Sequence, residues 1–235
     1  MALPKLETPV YTLNLPSTDE EIKYRPFLVK EQKRIMMAQE SESVTEIIDT
    51  INQLISDCTF KKLDANKIAM FDAEYIFLQV RSKSVGSKVE LTITCPDDEK
   101  TKVSHTVNLD EINVAIFDDH TNEIQLTEDI KVFFKYPLLS TFAKYSGKSN
   151  TSDMIFKLIE ECIEEVHFED EITNRVDMSD KDLNEFIESL STEQFAKVVK
   201  FFETMPRLRH KIEVKNPKTE VTSEVVLEGI QSFLV

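Results

Sequence analysis

KVELTITCPDDEKTKVSHTVNLDEI, at residues 88–112, decides the fold, because it contains two alternating segments around a turn. Apolar and polar residues alternate in "KVELTIT" and again in "KVSHTVN", which is the pattern of half-buried strands. Between them, "CPDDEKT" is rich in turn-forming residues, and its proline cannot donate to a strand ladder. The stretch therefore predicts an antiparallel β-hairpin whose turn begins at Cys95 and Pro96.

A second stretch has the same plan. KIEVKNPKTEVTSEVVLEGI, at residues 211–230, also runs from a basic residue through an apolar strand, an X-Pro turn and a second strand to a Leu-acidic-X-Ile ending. Helical patterns precede both stretches. Internal duplication and chance likeness of composition both account for the similarity, and the sequence leaves both open. The shared plan predicts an α+β fold, with helices packed against small antiparallel β-hairpins and with two lobes as the form that a duplication would take.

Further elements lie around these hairpins. Residues 10–27 alternate around "PSTDE" and predict another hairpin that ends at Pro26. Helices are expected at residues 30–39 and 44–55, and a third is expected to begin near Asp72 as its N-cap. Short strands and helices complete the expected order: strands at 113–117, 123–126 and 130–136, and helices at 154–163, 178–190 and 191–206.

The stretch YSGKSNTSD, at residues 145–153, is polar and short of large side chains, as linkers between domains are. We therefore expect an N-terminal α+β lobe at residues 1–148, with a hairpin, helices, a second hairpin and short strands. A C-terminal α+β lobe at residues 149–235 would hold helices followed by a hairpin. Under this division, each lobe carries one of the two proline-turn hairpins.

Composition excludes several classes of function. The net charge of −15 argues against nucleic acid or an anionic membrane as partner, since both attract basic surfaces. Three widely spaced cysteines indicate reduced thiols in a cytoplasmic compartment. No secretory signal and no membrane-spanning segment is expected. With three glycines in the whole chain, phosphate-cradling loops are absent, and neither a cofactor nor a small-molecule substrate is indicated.

Three groups of residues are candidates for a chemical site. Cys95 at its hairpin turn resembles half of a zinc knuckle, but His105 is the only nearby nitrogen ligand and no second cysteine is close. Asp118, Asp119 and His120 could serve a metal-dependent hydrolase, yet neighbours on one turn do not converge on one atom. Glu160, Glu161, Glu164 and Glu165 share one helical face that water would solvate. We therefore predict a protein that is not an enzyme and has no metal site.

Several motifs resemble one protein family. They are "MALPKLETPVYTLNLPST", "IKYRPFLVKEQKRIMMAQES", "ITCP" in a hairpin closing in "VNLDEI", "IKVFFKYP" and "LEGIQSFL", in order along most of the chain. Together they resemble the T4-type bacteriophage baseplate hub proteins, a group that includes a hub subunit and a hub assembly factor. Other members carry a fuller cysteine pattern at the hairpin turn, so Cys95 stands as a remnant of that pattern or as an ordinary thiol.

The resemblance implies a late viral protein that is made in the host cell cytoplasm and needed for assembly of the contractile tail. It would act by binding other phage baseplate hub or tail proteins, and would either remain in the virion or leave it. A dedicated chaperone of a hub subunit, absent from the virion, is the main alternative. A partner-binding role is expected at two places: Arg25, Pro26, Phe27, Lys30, Met36 and Met37 around the start of a helix, and Phe233 and Leu234 in an apolar tail.

Overall fold

The computed structural model describes residues 7–41, 43–145 and 151–233, and these form two compact units. The first unit contains the described residues up to Ala115 together with those from Arg207 onward. The second unit is the intervening segment, Ile116–Pro206. This grouping differs from the division expected at residues 148/149, because Asn113–Ala115 and Arg207–Lys215 are paired antiparallel strands of one sheet.

The first unit has three helices and seven strands within the described residues. In chain order they are β1 (Tyr11–Asn14), β2 (Glu21–Tyr24), α1 (Val29–Glu40), α2 (Val44–Cys58), α3 (Met70–Val85), β3 (Lys88–Thr94), β4 (Lys102–Asn108), β5 (Asn113–Ala115), β10 (Arg207–Lys215) and β11 (Thr222–Glu228). Short 3-10 turns, Leu109–Glu111 and Ile230–Phe233, follow β4 and β11. The strands form two hairpins, β1-β2 and β3-β4, and a three-stranded sheet of order β11-β10-β5.

The second unit is a four-stranded antiparallel sheet with helices. Its elements are β6 (Glu123–Gln125), β7 (Ile130–Phe134), α4 (Leu139–Tyr145), α5 (Thr151–Cys162), β8 (Ile163–Phe168), β9 (Glu171–Asn174), α6 (Asp180–Glu188) and α7 (Thr192–Thr204). The strand order is β6-β7-β8-β9. One face of the sheet packs with the helices around Val132, Phe134, Ile159 and Phe201. The expected α+β fold class is confirmed.

Helices α2 and α3 are built differently. In α2, Ile48, Ile51 and Ile55 are buried at helical spacing, which gives one apolar stripe, and the Ser43 side chain caps the helix. In α3, nine of the sixteen residues are buried, and they lie on more than one side of the helix. A helix with this pattern sits inside a core, so α3 is the central element of the first unit.

Asp72 does not cap α3 as expected, because the N-cap position is Ala69. Asp72 is instead buried within the first turn of the helix, and its carboxylate accepts hydrogen bonds from the backbone N–H of Ser17, at 3.0 Å, and from the Ser17 hydroxyl. Ser17 belongs to the turn between β1 and β2. The carboxylate therefore fixes the first hairpin to α3 and does not serve the helix terminus.

The two proline-turn hairpins share a backbone plan. Each ladder has seven antiparallel residue pairs, and each is followed by a 3-10 turn. Beyond the ladders, the Leu109 N–H donates to the Ser87 carbonyl at 2.7 Å, and the Gly229 N–H donates to the Leu208 carbonyl at 3.1 Å. When ladder pairs are counted from each turn, Leu109 and Gly229 occupy equivalent positions in the two hairpins. Both hairpins lie in the first unit and not one in each lobe.

The turns of these hairpins are hydrogen-bonded to each other. The Asn216 side-chain amide donates to both carboxylate oxygens of Asp97, at 3.1 and 3.0 Å, and the Thr219 hydroxyl also donates to Asp97. These bonds, first that from Thr219, lower the pKa of Asp97. Cys95 and Asn216, which precede the two prolines, are each 1% exposed. Polar side chains therefore hold the two turns together at the end of a shared apolar core.

That core is formed by the inward faces of both hairpins and by α3. Strands β3 and β10 contribute alternating apolar residues, as the period-2 pattern predicts. Its buried members are Leu78, Val89, Leu91, Ile93, Cys95, Val107, Leu109, Ile112, Leu208, Ile212, Val214, Leu227 and Phe233.

Candidate partner-binding surface

The segment between β2 and α1 is tightly held. The Arg25 N–H donates to the Cys58 carbonyl at 3.0 Å, and the Phe27 N–H donates to the Ser84 hydroxyl at 2.9 Å. The first contact fixes the segment to the end of α2, and the second fixes it to α3. Pro26 and Phe27 are half-buried. This segment is therefore a rigid joint and not a hinge.

A buried ion pair lies inside the joint. The Arg25 guanidinium contacts Glu31 Oε1 at 3.1 Å, and the two side chains are only 11% and 1% exposed. Glu31 Oε2 accepts a hydrogen bond from the Leu28 N–H at 2.7 Å, which satisfies a free donor at the start of α1. Burial alone would raise the pKa of Glu31, but the hydrogen bonds from Arg25, Leu28 and Lys30 outweigh it and lower the pKa. Arg25 thus serves the joint and is not presented to a partner.

Helix α1 exposes most of its surface. Within it, only Glu31 and Ala38 are buried. The Arg34 guanidinium forms an ion pair with the Asp57 carboxylate of α2 at 3.3 Å. Val29, Met36 and Met37 are 81%, 54% and 58% exposed, although all three are large and apolar. Solvent exposure of this degree is unusual for three apolar residues on one short helix.

These apolar residues lie with basic ones on a single side of the helix. Val29, Lys33, Met36 and Met37 occupy positions i, i+4, i+7 and i+8, and Lys30 lies beside them, within an arc of about 120°. Lys33 is exposed, and the Lys30 side chain is 62% exposed. We call these five residues the α1 face; Glu40 lies at its C-terminal end. The face combines apolar side chains with positive charge on a protein of net charge −15.

The structure separates the other expected partner-binding residues from the α1 face. Phe233 is fully buried in the core of the first unit, and the Arg81 guanidinium donates to its carbonyl. Leu234 lies outside the described residues. The Phe233 side chain is therefore part of the core and is not displayed for a partner.

The candidate metal ligands Asp119 and His120 form hydrogen bonds or ion pairs with other protein side chains. His120 Nδ1 lies 3.0 Å from the Thr204 hydroxyl and Nε2 lies 3.1 Å from the Tyr136 hydroxyl, so protein hydrogen bonds use both ring nitrogens. Burial lowers the pKa of His120, although the charge of Asp119 opposes this. Asp119 pairs with Lys200 at 3.2 Å. In the described residues, no three His, Cys, Asp or Glu side chains cluster as metal ligands would.

Sequence reasoning missed Val29 and Lys33 as members of the α1 face. The signal was present, because the spacing of Val29, Lys33, Met36 and Met37 predicts one helical side. A second surface, on strand β9, was also missed because residues 171–174 were not predicted as a strand. Ile172 and Val176, in and just after β9, are 59% and 90% exposed.

Fold and surface together define an α+β protein that displays an apolar and basic helix face. In the described residues, no helix is both long and apolar enough to cross a membrane. The chain belongs to the family of T4 bacteriophage base plate proteins, whose family model matches residues 8–235. No curated protein and no solved structure matches the chain. It is thus a protein of the bacteriophage tail baseplate, and the expected family resemblance is confirmed at that level.

Proposed function

We propose that this protein is a non-enzymatic baseplate hub subunit or hub assembly factor, which acts in the host cytoplasm by binding other tail proteins through the α1 face. The observation that carries the proposal is the exposure of Val29, Met36 and Met37 beside Lys30 and Lys33. Apolar surface of this kind is stabilised when a partner removes it from water.

The chemistry of the α1 face defines the partner. Methionine side chains are flexible and polarisable, so they adapt to the shape of an opposing apolar surface. The lysines add a positive rim, and they favour a partner that carries carboxylates around an apolar groove or helix. Rim charges of this type chiefly raise the rate of association, and the apolar centre supplies most of the affinity.

The rigid joint supports this role. Because Arg25, Glu31 and Phe27 fix the start of α1 to the body of the first unit, the α1 face is held in one orientation. A pre-oriented surface loses less conformational freedom on binding than a mobile one. The joint residues thus position the surface, and the α1 face makes the contacts.

The test compares three variants of the full chain. Met36→Glu/Met37→Glu removes the apolar centre, and Lys30→Glu/Lys33→Glu reverses the rim. Val221→Glu changes an apolar residue that is 46% exposed in the turn between β10 and β11, and serves as the matched control. All five substitutions are at exposed positions, so thermal unfolding should change little for the methionine and Val221 variants. Lys30→Glu also removes the 3.2 Å contact with Glu31, so the lysine variant should unfold at a lower temperature.

Each variant is supplied to a phage that lacks the gene, and infectious particles are counted. We expect the methionine variant to lose most complementation and to recover no tail proteins in pull-downs, whereas the control behaves as wild type. Normal contractile tails with both α1-face variants would contradict the proposal.

The two roles within the proposal differ in one observable. A hub subunit stays in the particle, whereas an assembly factor or a dedicated chaperone of a hub subunit leaves it. Quantitative mass spectrometry of purified virions separates them: a fixed copy number per tail identifies a subunit, and absence from the virion identifies the departing protein.

A further inference from the structure

We propose that the free edge of strand β9 in the second unit binds a basic, extended segment of another protein, which adds to the sheet as a fifth strand. This surface is distinct from the α1 face, and the inference does not depend on the proposed role in hub assembly. Three observations support it: the strand order of the sheet, the difference in hydrogen bonding between the two sheet edges, and the exposed side chains of the β8-β9 hairpin.

The two edges of the four-stranded sheet differ. At the β6 edge, the Lys197 ammonium group of α7 donates to the carbonyls of Gln125 and Leu126, at 3.2 and 3.3 Å. This contact satisfies backbone acceptors at that edge. Strand β9 pairs with β8 on one side, and its other side is the edge of the sheet. Within residues 116–145 and 151–206, no side chain forms a hydrogen bond with the backbone of Glu171–Asn174.

An uncovered edge strand presents unpaired N–H and C=O groups to which another strand can bond. Proteins that only need to protect such an edge place polar or charged residues there. Here Ile172, on β9 itself, is apolar and 59% exposed, and two exposed apolar residues flank the strand: Phe168 at the end of β8, at 50%, and Val176 just after β9, at 90%. Protection alone does not explain them, whereas recognition of a partner strand does.

On the outer face of the sheet, a row of side chains ends at Ile172 on β9. Ile172 lies opposite His167 in the ladder, and His167 lies opposite Lys131. The His167 ring contacts the Phe133 ring, with 4.5 Å between centroids. A strand added beside β9 would place one side chain next to Ile172, in the same row as Lys131 and His167 and on the same face as the Phe133 ring. An apolar residue at that position would cover Ile172.

Charge selects the kind of segment. The stretch from Ile163 to Asp177 contains six carboxylates and one arginine. Arg175 is already paired with Asp180 at 2.7 Å. Lysine or arginine side chains, alternating with apolar residues, would neutralise this field as the strand is added. The occupant is therefore a cationic segment with period-2 apolar residues.

The same charge argues against a second copy of this chain as the occupant. Antiparallel pairing of two β9 strands over their full length would place Glu171 opposite Asn174, but it would still bring together two segments that each contain six carboxylates and one arginine. Two segments of the same net charge repel each other. The acidic edge thus prevents self-association while it favours a basic partner.

The test uses a labelled nine-residue peptide that alternates lysine and valine, titrated against the full chain by fluorescence anisotropy. A fully N-methylated peptide of the same sequence keeps the charges and side chains but cannot donate backbone hydrogen bonds. We expect the N-methylated peptide to bind at least tenfold more weakly. Chemical-shift perturbation by the unmodified peptide should centre on the backbone amides of Glu171–Asn174.

Protein variants complete the design. Ile172→Arg should weaken peptide binding at least tenfold, whereas Val221→Arg, at an exposed apolar position in the first unit, should change it less than twofold. If Ile172→Arg does not fold, Ile172→Thr keeps a β-branched side chain and removes apolar area, and it should weaken binding about threefold.

Four outcomes would overturn the proposal. They are absence of binding at millimolar peptide, equal binding of the N-methylated peptide, perturbation centred elsewhere, and insensitivity to both Ile172 variants. A concentration-dependent dimer that Ile172→Arg abolishes would also overturn it, because the edge would then bind a second copy.

Discussion

Replacement of Glu74 by glutamine tests how α3 holds the segment after β11. Glu74 is 5% exposed, and its Oε1 accepts a hydrogen bond from the Ile230 N–H at 3.0 Å. Burial raises the pKa of Glu74 from 4.5 to about 7; the bond from Ile230 opposes this rise and the charge of Glu228 adds to it. The folded state therefore binds the proton more tightly than the unfolded state does.

The sign of the pH dependence follows. The stabilisation from protonated Glu74 is fully present below the unfolded pKa of 4.5 and is lost as the pH rises through the folded pKa of about 7. At about 1.4 kcal/mol per pKa unit, the ionised carboxylate costs the folded state about 3 kcal/mol at pH 8. Glutamine keeps an acceptor oxygen for Ile230 but cannot ionise.

We expect Glu74→Gln to be more stable than wild type at pH 8, by up to about 3 kcal/mol, and the gain to shrink to about 1 kcal/mol at pH 5. Urea unfolding followed by far-ultraviolet circular dichroism measures both values. Glu128→Gln, in the exposed loop between β6 and β7, is the control and should leave the free energy of unfolding unchanged at both pH values. A stability difference that is equal at the two pH values, or a glutamine variant that is less stable at pH 8, would refute this account of Glu74.

Three further experiments probe the first unit by urea unfolding. Glu31→Ala leaves the Arg25 guanidinium buried without its partner and should cost about 3 kcal/mol; a loss below about 1 kcal/mol would mean that Arg25 moves out to water. Asn216→Ala should lower the urea midpoint by removing its two hydrogen bonds to Asp97, and the loss for Asn216→Ala/Asp97→Ala should be smaller than the sum of the two single losses; additive effects would show that the two side chains are not coupled. Gly229→Ala should cost about 1 kcal/mol, because Gly229 has φ +70° and a Cβ would lie 3.3 Å from Glu74 Oε1; an unchanged midpoint would contradict this.

Local pattern predicted most elements of the fold, but not α4, β8 or β9. The alternation in residues 88–108 predicted β3 and β4, and the spacing of Ile48, Ile51 and Ile55 predicted α2. The grouping into units depended instead on β5, a three-residue strand that pairs with β10 from a distant part of the chain. Such pairing has no local sequence signature. The domain boundary was therefore predicted from the polar stretch at residues 145–153, which lies inside the second unit.

The candidate surface was predictable only in part. Met36 and Met37 were expected to contact a partner, and the structure shows both exposed. Arg25 and Phe233 were expected to meet a partner, but one is used in a buried ion pair and the other in the core. Which charged or apolar residue is buried depends on tertiary packing, and residue type alone cannot specify it.

Insertion of the second unit between β5 and β10 has a consequence for protein synthesis. The apolar faces of β3 and β4 are made early, whereas Leu208, Ile212 and Phe233, which complete their core, follow only after residues 116–206. At about 5–20 residues per second, these faces wait roughly 5–20 s on the ribosome. The second unit is continuous in the chain and can fold during that interval. Chains that stop before residue 207 would lack Leu208, Ile212 and Phe233 and would carry an open core, which makes them targets for chaperones and proteases.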